Sequence, residues 1–189
     1  KNLKIRNLYP DESELIRNAS RHNRRAQEAL YQKYAPKMLS VCRYYIRDMQ
    51  HAEDVLMEGF LKAFTRLHQL TDFNKFPGWL RKIMVNESLH FLRSKNQLIF
   101  LEEEKTSKTQ EIQAPQLDFS AEEVQQWIDQ LPEAQKVIFI LYAIEGYSHK
   151  EIGAQLNIPL GTSKGYLSRA RKTLQEKLKT HYLKKNERA

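Results

Sequence analysis

The sequence has little glycine, proline and cysteine, and it contains no long apolar run. Six glycines and six prolines in 189 residues leave long stretches without a helix breaker. The single cysteine, Cys42, excludes an intrachain disulfide and any metal site built from several cysteines, and we expect it to be a small core residue. No run reaches the roughly 18 apolar residues of a membrane-spanning helix. The six histidines are scattered, so we predict no metal site and no cofactor.

Charge is distributed unevenly along the chain. The formal net charge is +8, which indicates an anionic partner without identifying it. Residues 1–96 hold 18 Lys and Arg against 10 Asp and Glu, and residues 161–189 hold 9 against 2. Residues 97–123 hold only 2 against 7. Two basic blocks are therefore separated by an acidic one, an arrangement that favours nucleic acid as the partner.

Most of the chain repeats its apolar residues with the 3.6-residue period of a helix. The predicted helices cover residues 12–20, 26–47, 52–69, 76–95, 121–130, 133–145, 149–156 and 162–181. No segment alternates well enough to predict a strand. The fold class is therefore all-α.

The helical pattern stops between residues 97 and 120, an acidic and polar stretch that carries Pro115. A structureless loop of this length is uncommon inside one compact domain, so we predict two small helical domains joined by a flexible acidic linker. A tether of this length spans roughly 25–30 Å. The predicted parts are residues 1–96, the linker 97–120, residues 121–183 and a basic tail 184–189. The apolar patch Leu98 to Leu101 is expected to dock on a folded part.

A helix-turn-helix is predicted near the C-terminus. Ser148 and Glu151 have the spacing of a capping box, which starts a short helix. Pro159 disfavours helix at the preceding residue, Gly161 is expected to supply the turn, and Thr162 is expected to cap the next helix. That second helix has an apolar face made of Leu167, Ala170, Leu174 and Leu178. Its other side is basic and carries hydroxyl groups, which suits docking in the major groove of duplex DNA.

Two readings of this hairpin stay open on pattern alone: duplex DNA binding, and an ordinary αα-hairpin with a solvated charged face. If it binds DNA, Lys164 and Arg169 near the start of the second helix are expected to reach base edges. Thr162, Arg171 and Lys172 suit phosphates.

The N-terminal half holds two further candidate surfaces. Residues 52–69 form an amphipathic helix whose early acids could equally be ordinary compensation of the helix dipole. A loop and a helix follow, in which aromatic and basic residues are interleaved, a pattern that suits single-stranded nucleic acid. We expect Trp79 to lie in the core and Phe73 and Asn74 in the loop to be the better candidates for base contact.

Four segments in this order give the sequence a family resemblance. They are Ala29 to Tyr34, Ala52 to Phe60, Trp79 to Asn86, and Leu131 to Glu133 leading to Gly161 to Lys164. With an acidic linker between them, the chain resembles an ECF (extracytoplasmic function) sigma factor, the smallest form of bacterial sigma factor. The resemblance covers nearly the whole chain outside the linker.

The resemblance implies a promoter-specificity subunit that catalyses nothing itself. It implies core RNA polymerase, promoter DNA (duplex and single-stranded non-template strand) and an anti-sigma factor as partners. The residues that match the polymerase-binding helix are Glu53, Asp54, Leu56, Met57 and Glu58. Those that match the reader and opener of the minus-ten element are Thr71, Asp72, Phe73, Asn74, Lys75, Lys82, Asn86, Glu87, His90 and Arg93. Those that match the minus-thirty-five reader are Thr162, Ser163, Lys164, Gly165, Ser168, Arg169, Arg171 and Lys172.

Three positions depart from the family pattern. Gly165 stands where the family commonly has a side chain able to reach DNA, Gly59 where a larger polar residue is usual, and Ser163 where a branched apolar residue is common. Gly165 bears on which promoter sequence is read.

Two other functions are weighed beside the sigma factor. A two-domain helix-turn-helix regulator with an N-terminal sensor or interaction domain would need a ligand pocket or phospho-acceptor, and the sequence suggests neither. A nucleic-acid-processing enzyme would need convergent metal ligands or a nucleophile with its base. The N-terminal residues lack the order of a secretory signal, which predicts a cytoplasmic protein with no membrane insertion of its own.

Overall fold

A computed structural model of the chain describes residues 11–95, Phe100 and residues 120–186. Throughout these residues the regular structure is helical, which confirms the all-α prediction. The chain divides after Ser94 into two compact units. The first unit contains α1 (Glu12–Ser20), α2 (Arg24–Tyr45), α3 (Met49–Arg66) and α4 (Phe76–Ser94). The second contains α5 (Ala121–Asp129), α6 (Glu133–Phe139), α7 (His149–Leu156) and α8 (Leu160–Asn186).

Side-chain caps start the first three helices. Asp11, Asn23 and Asp48 each precede a helix in extended backbone, and each accepts a hydrogen bond from an amide of the first turn. Such caps pair amides that have no partner within the helix. The cap at Asp48 makes α3 begin three residues earlier than the apolar periodicity predicts.

Three long helices enclose the core of the first unit. α2, α3 and α4 pack against one another, and α1 lies along α2. The fully buried apolar residues include Leu30, Met38, Leu67, Phe76, Leu80, Met84 and Leu89. Cys42 is buried among them, as predicted, and burial raises the pKa of its thiol to about 11. The thiol is therefore protonated at neutral pH and serves as packing.

α3 and α4 pack closely at Gly59. A Cβ atom on Gly59 would overlap the Sδ atom of Met84. Gly59 and Met84 are both buried. The glycine that departs from the family pattern is therefore explained by packing, because it makes room for a large side chain on α4.

α6 and α8 form most of the core of the second unit, and α7 packs on α8. After α6 the backbone widens into a π-helical turn over Ile140–Ile144, and Gly146 then takes a left-handed φ of 75°. A wide turn of this kind shifts the side chains that follow it relative to an α-helix. Here it leads the chain into α7, where Ser148 and Glu151 form the predicted capping box.

The turn between α7 and α8 differs from the prediction in its residues. Asn157, not Gly161, takes the left-handed conformation, with φ 55° and ψ 49°, and its amide bonds to the carbonyl of Gly153. α8 already begins at Leu160, so Thr162 and Gly161 lie inside its first turn and neither caps it. Pro159 is compatible with this early start because its carbonyl accepts from the amide of Ser163, 3.2 Å away.

Candidate functional site

The exposed side of α8 gathers most of the residues predicted to contact duplex DNA. Lys164, Ser168 and Lys172 are four residues apart, which places them one above the other on a helix face. Lys164 and Lys172 are exposed and Ser168 is half-buried. Gly165 and Thr162 are half-buried. This face is polar and cationic, as major-groove docking requires.

Ser163, predicted among the residues that face duplex DNA, is buried in the free chain. Its side chain has no exposed surface, and its hydroxyl lies 2.9 Å from Nδ1 of His149 on α7. Position 163 falls on the inner side of α8, beside the buried Tyr166 and Leu167. A small hydroxyl residue fits there because the imidazole supplies the hydrogen-bond partner that a buried polar group needs.

Arg169 is held in place by an aromatic ring on its own helix. Its guanidinium carbon lies 4.3 Å from the centre of the Tyr166 ring, a cation–π distance, and burial lowers the pKa of the group. Phe100 meets the same tyrosine edge-on, with ring centres 5.4 Å apart. Of the apolar patch expected to dock, only Phe100 lies within the described residues, and it docks on α8. Such contacts restrict the arginine before any ligand binds.

A cluster around His149, which the sequence did not single out, lies where α7, α8 and the π-helical turn meet. The imidazole stacks on Tyr142, with ring centres 4.7 Å apart. The guanidinium of Arg171 lies 5.5 Å from the centre of the same tyrosine ring. Burial first, and then the charges of Lys164 and Arg171, lower the pKa of His149. The sequence carries no local signal for this cluster, because its members come from three separate elements.

In the first unit, one side of α4 carries a basic and polar stripe. Lys82, Asn86, His90 and Arg93 are spaced by four, four and three residues, and all four are exposed. The opposite side holds the buried residues Leu80, Met84, Leu89 and Leu92. Trp79, which was expected to be core, is half-buried, with its ring 6.1 Å from that of Phe76. The stripe offers cations and hydrogen-bonding groups to a polynucleotide.

The carboxylate of Glu87 is engaged within the protein. It is half-buried and forms an ion pair and hydrogen bond with Lys62 of α3. The Nζ atom of Lys62 also lies 3.9 Å from the Oε1 atom of Glu58. The ion pair connects α3 with α4, so Glu87 supports the position of the stripe.

The loop before α4 is preformed. Asp72 caps the single turn Phe73–Lys75 by accepting from the amide of Asn74 at 3.1 Å, and its other oxygen lies 3.5 Å from Nζ of Lys75. Thr71 and Asn74 are exposed, while Phe73 is half-buried beneath Arg17 of α1 at a cation–π distance of 5.9 Å. The loop therefore presents Asn74 outward and holds Phe73 against α1.

α3 exposes an apolar and acidic face. Met57 and Leu61 are 58% and 62% exposed, on the same side of the helix as Glu53. Asp54 and Glu58 are exposed beside them. Leu56, which was predicted with them, is only 4% exposed and belongs to the core, so it adds no area to this face. Leu61 was missed, although its position four residues after Met57 was the available signal.

Comparison with known families matches two parts of the chain to one family. Residues 30–97 match the model of sigma-70 region 2, and residues 121–174 match that of sigma-70 region 4. Together the two matches cover well over half of the chain. They fall on the first unit from α2 to α4 and on the second from α5 into α8.

Relatives match nearly the whole chain. The RNA polymerase sigma-H factor of Pseudomonas aeruginosa is 27% identical over 88% of this chain and 93% of its own length. The ECF RNA polymerase sigma factor SigW of Bacillus subtilis is 28% identical over 77% of this chain and 85% of its own. A solved structure of the sigma factor RpoE from Bartonella quintana, in complex with the anti-sigma factor NepR, is 23% identical, with a TM-score of 0.50. The match covers 80% of this chain and 96% of the RpoE chain, and it supports the helical fold described above. Among the described helices, none is long and apolar enough to cross a membrane.

Proposed function

The chain belongs to the extracytoplasmic function group of the sigma-70 family, and from that premise we propose how its residues divide promoter-directed transcription initiation between them. A factor of this family binds core RNA polymerase and promoter DNA and directs initiation to specific promoters. The proposal assigns each step to one of the helix faces described above. The observation that carries it is that one chain presents an exposed apolar and acidic face on α3 and exposed cationic faces on α4 and α8.

The α3 face is proposed to bind core polymerase. Exposed apolar side chains cost little in the free protein and stabilise a complex when a partner covers them. Met57 and Leu61 supply that apolar area, and Glu53, Asp54 and Glu58 surround it with negative charge. Charge complementarity of this kind sets orientation and association rate. The proposed partner surface is therefore apolar at its centre and basic around it.

The loop and α4 are proposed to bind the minus-ten element as a single strand. Asn74 and Phe73 lie at the loop edge, where an unstacked base can reach them, while Lys82, Asn86, His90 and Arg93 line one exposed helix side. Bases can stack or form hydrogen bonds at the loop while cations follow the backbone. Lys75 adds a further cation at the start of this path, and Asp72 shapes the loop.

The second unit is proposed to bind the minus-thirty-five element as duplex. Arg169 and Lys164 are assigned to base edges, and Thr162, Arg171 and Lys172 to phosphates. With residues 97–120 as the tether between the two readers, each binding event raises the effective concentration of the other. We place the reading of duplex in residues 121–183, polymerase binding and melting in residues 1–96, and a basic tail in residues 184–189.

We propose that this factor contributes binding without catalysis, that it acts in the cytoplasm with the polymerase, and that a protein inhibitor controls it. Support for an inhibitor comes from the solved sigma factor whose structure contains an anti-sigma factor. The exposed apolar face of α3 adds to that support, because a face kept for polymerase is also a surface that an inhibitor can cover. The inhibitor proposed is an anti-sigma factor.

The test is charge reversal on α3. Asp54→Arg should weaken binding to core polymerase by tenfold or more, because a cation would then face the basic surroundings proposed for the partner. Duplex DNA binding by the full chain should stay unchanged. Glu14→Arg is the matched control, because Glu14 is an exposed acid on α1 outside the proposed face. Binding is measured with purified core enzyme, and initiation with reconstituted transcription on a promoter library.

The outcomes distinguish the proposed function from a regulator that acts without polymerase. Loss of core binding and of initiation by Asp54→Arg, with Glu14→Arg unaffected, supports the assignment of α3. A chain that forms no stable complex with core and adds no initiation would contradict the function itself. Equal loss by both variants would contradict only the proposed surface.

A further inference from the structure

The cluster around His149 brings together three groups that can be cationic. His149 lies at the start of α7, and Lys164 and Arg171 lie on α8, close enough for their charges to act on the imidazole. Tyr142, from the π-helical turn, stacks on the imidazole from one side, and the Arg171 guanidinium lies over the same tyrosine ring. Two cations and a histidine that can become a third, with no acid among the charges that act on the histidine, form a site suited to an anion.

Ser163 fixes the orientation of the imidazole. The buried hydroxyl lies 2.9 Å from Nδ1, which leaves Nε2 as the ring atom that can donate outward. A hydroxyl either donates or accepts, so this contact persists whether the ring is neutral or charged. Protonation therefore changes the charge of the cluster without breaking the hydrogen bond that positions it.

We propose that His149 binds a phosphate of duplex DNA as an imidazolium, together with Lys164 and Arg171, so that DNA binding by α8 takes up a proton. The proposal rests on the proposed function, in which this unit reads duplex DNA, and adds to it a contact from α7 and a dependence on pH. Direct phosphate contact distinguishes it from a histidine that merely packs between two helices.

The direction of the pH effect follows from the two states of the cluster. In the free protein, burial, Lys164 and Arg171 lower the pKa of His149 below its ordinary value, so the ring is neutral at neutral pH. A bound phosphate introduces a negative charge that offsets the two neighbouring cations and raises that pKa. The bound state then holds more protons than the free state, so affinity rises as pH falls.

The other charged groups near His149 do not reverse the direction of this pH effect on DNA affinity. On its own helix, His149 is followed by the exposed residues Lys150 and Glu151, and the Glu151 carboxylate is engaged by the amide and hydroxyl of Ser148. From α8 the facing groups are Ser163, Lys164 and Arg171, and from the π-helical turn Tyr142. Histidine is the residue type of this cluster whose ordinary pKa lies near neutral pH, so the pH dependence is assigned to His149.

The experiment measures binding of the full chain to a 20-base-pair duplex of random sequence, because a phosphate contact needs no particular base. Fluorescence anisotropy at constant ionic strength follows affinity from pH 8 to pH 6. Wild type should bind about fivefold more tightly at pH 6, within the tenfold per pH unit that one proton allows. The slope of log affinity against log salt should be steeper at pH 6 by up to about 0.9, one further phosphate neutralised.

Three variants isolate the histidine. His149→Gln keeps a hydrogen-bonding group toward Ser163 without the charge, and should bind at all pH values with the affinity of wild type at pH 8. His149→Lys carries a permanent charge and should bind without pH dependence and more tightly at pH 8. His181→Gln is the matched control, because His181 belongs to the same unit, on α8, but lies outside the cluster, and it should behave as wild type.

Binding that does not change with pH in wild type, or a pH dependence that persists in His149→Gln, would overturn the inference and leave the proposed function standing. Absence of duplex binding at every pH would overturn both. NMR titration of the His149 ring gives an independent readout, since its pKa should rise when duplex is added. A merely structural histidine would keep the same pKa with and without DNA.

Discussion

α3 and α8 are both amphipathic helices packed on a core, yet their outward faces differ in kind. α3 exposes Met57 and Leu61 among carboxylates. α8 buries Tyr166 and Leu167 in the same stretch where it carries its cations outward. An apolar face stabilises a complex with another protein when water leaves it, whereas a phosphate backbone offers no apolar area and attracts cations. Amphipathic periodicity predicts both helices, but only the chemistry of the exposed side indicates which kind of partner each helix binds.

The two helices also differ in how firmly their candidate binding side chains are held before a partner binds. On α8, Arg169 is stacked on Tyr166, and His149 of the neighbouring α7 is hydrogen-bonded to Ser163. On α3, Met57 is contacted at 3.5 Å by the hydroxyl of Tyr31, while its side chain stays largely exposed. Directional groups gain from being held before binding, because their geometry selects the ligand. A flexible thioether gains from adapting to its partner.

Removing the apolar side chains of α3 should produce the largest effect. Met57→Ser combined with Leu61→Ser should weaken binding to core polymerase by 30-fold or more, since two anchors that each contribute about 1–2 kcal/mol are lost. The free energy of unfolding should change little, because both side chains are more than half exposed in the free chain. Competition binding with purified core enzyme and urea unfolding monitored by circular dichroism measure the two quantities.

Met49 serves as the matched control for this pair. It is also an exposed methionine of α3, 46% exposed, but it lies at the helix start and contacts Arg43. Met49→Ser should leave core binding within about twofold of wild type. If it weakens binding as much as the double variant does, exposed apolar area in general, and not the Met57 and Leu61 face, drives the association.

The corresponding change on α8 should affect DNA and leave polymerase binding unchanged. Arg169→Ala should weaken binding to a cognate duplex by roughly 10- to 100-fold, the cost of about 1–3 kcal/mol for one arginine at a base edge. Arg169→Lys keeps the charge but loses the planar, two-pronged donor set, so it should lower discrimination between sequences more than the salt dependence of binding. Affinities for a cognate and a random duplex, each measured at several salt concentrations, test both statements. Equal loss on both duplexes would assign Arg169 to the phosphates.

Much of the fold could be predicted because local signals agree with the packing. The bounds of α1 and α7 follow from their apolar periodicity, and the capping box at Ser148 identifies the start of α7. α8 begins two residues earlier than predicted, because Pro159 and Gly161 do not both belong to the turn. A helix tolerates Pro159 just before its first turn, and Asn157 alone supplies the left-handed residue.

For the candidate site, the sequence predicts the segments but not which of their side chains are exposed. Periodicity and the family resemblance identify α3 and α8, but they do not say which residues of those helices are buried. Leu56 and Ser163 lie in matched segments and face inward because of the neighbours they meet. His149 needed the tertiary structure, because its partner Ser163 is fourteen residues away on another helix. A sequence without an alignment carries no local signal for such a pair.

The smallest predicted effect concerns the side of α3 that faces α4. Gly59→Ala gains up to about 1 kcal/mol of helix propensity, but its new methyl would meet the Sδ atom of Met84 in a filled core, which costs about 1–3 kcal/mol. We expect a net loss of about 1 kcal/mol in the free energy of unfolding. Gly78→Ala on α4 is the matched control: its Cβ would meet nothing within 4 Å, so it should be neutral or stabilising by up to about 1 kcal/mol.

Shortening Met84 identifies the cause of the loss, because Met84→Val removes the sulfur atom that the new methyl would strike. Met84→Val alone should destabilise the first unit through a cavity, while the double variant should lose less than the sum of the two single losses, since the alanine methyl fills part of that cavity. Urea unfolding of each variant is followed by tryptophan fluorescence in a Trp127→Phe background. Trp79 is then the only tryptophan, so the signal reports on the first unit alone. Additive losses would mean that Gly59 and Met84 act independently. The close contact between α3 and α4 would then not explain the glycine at position 59.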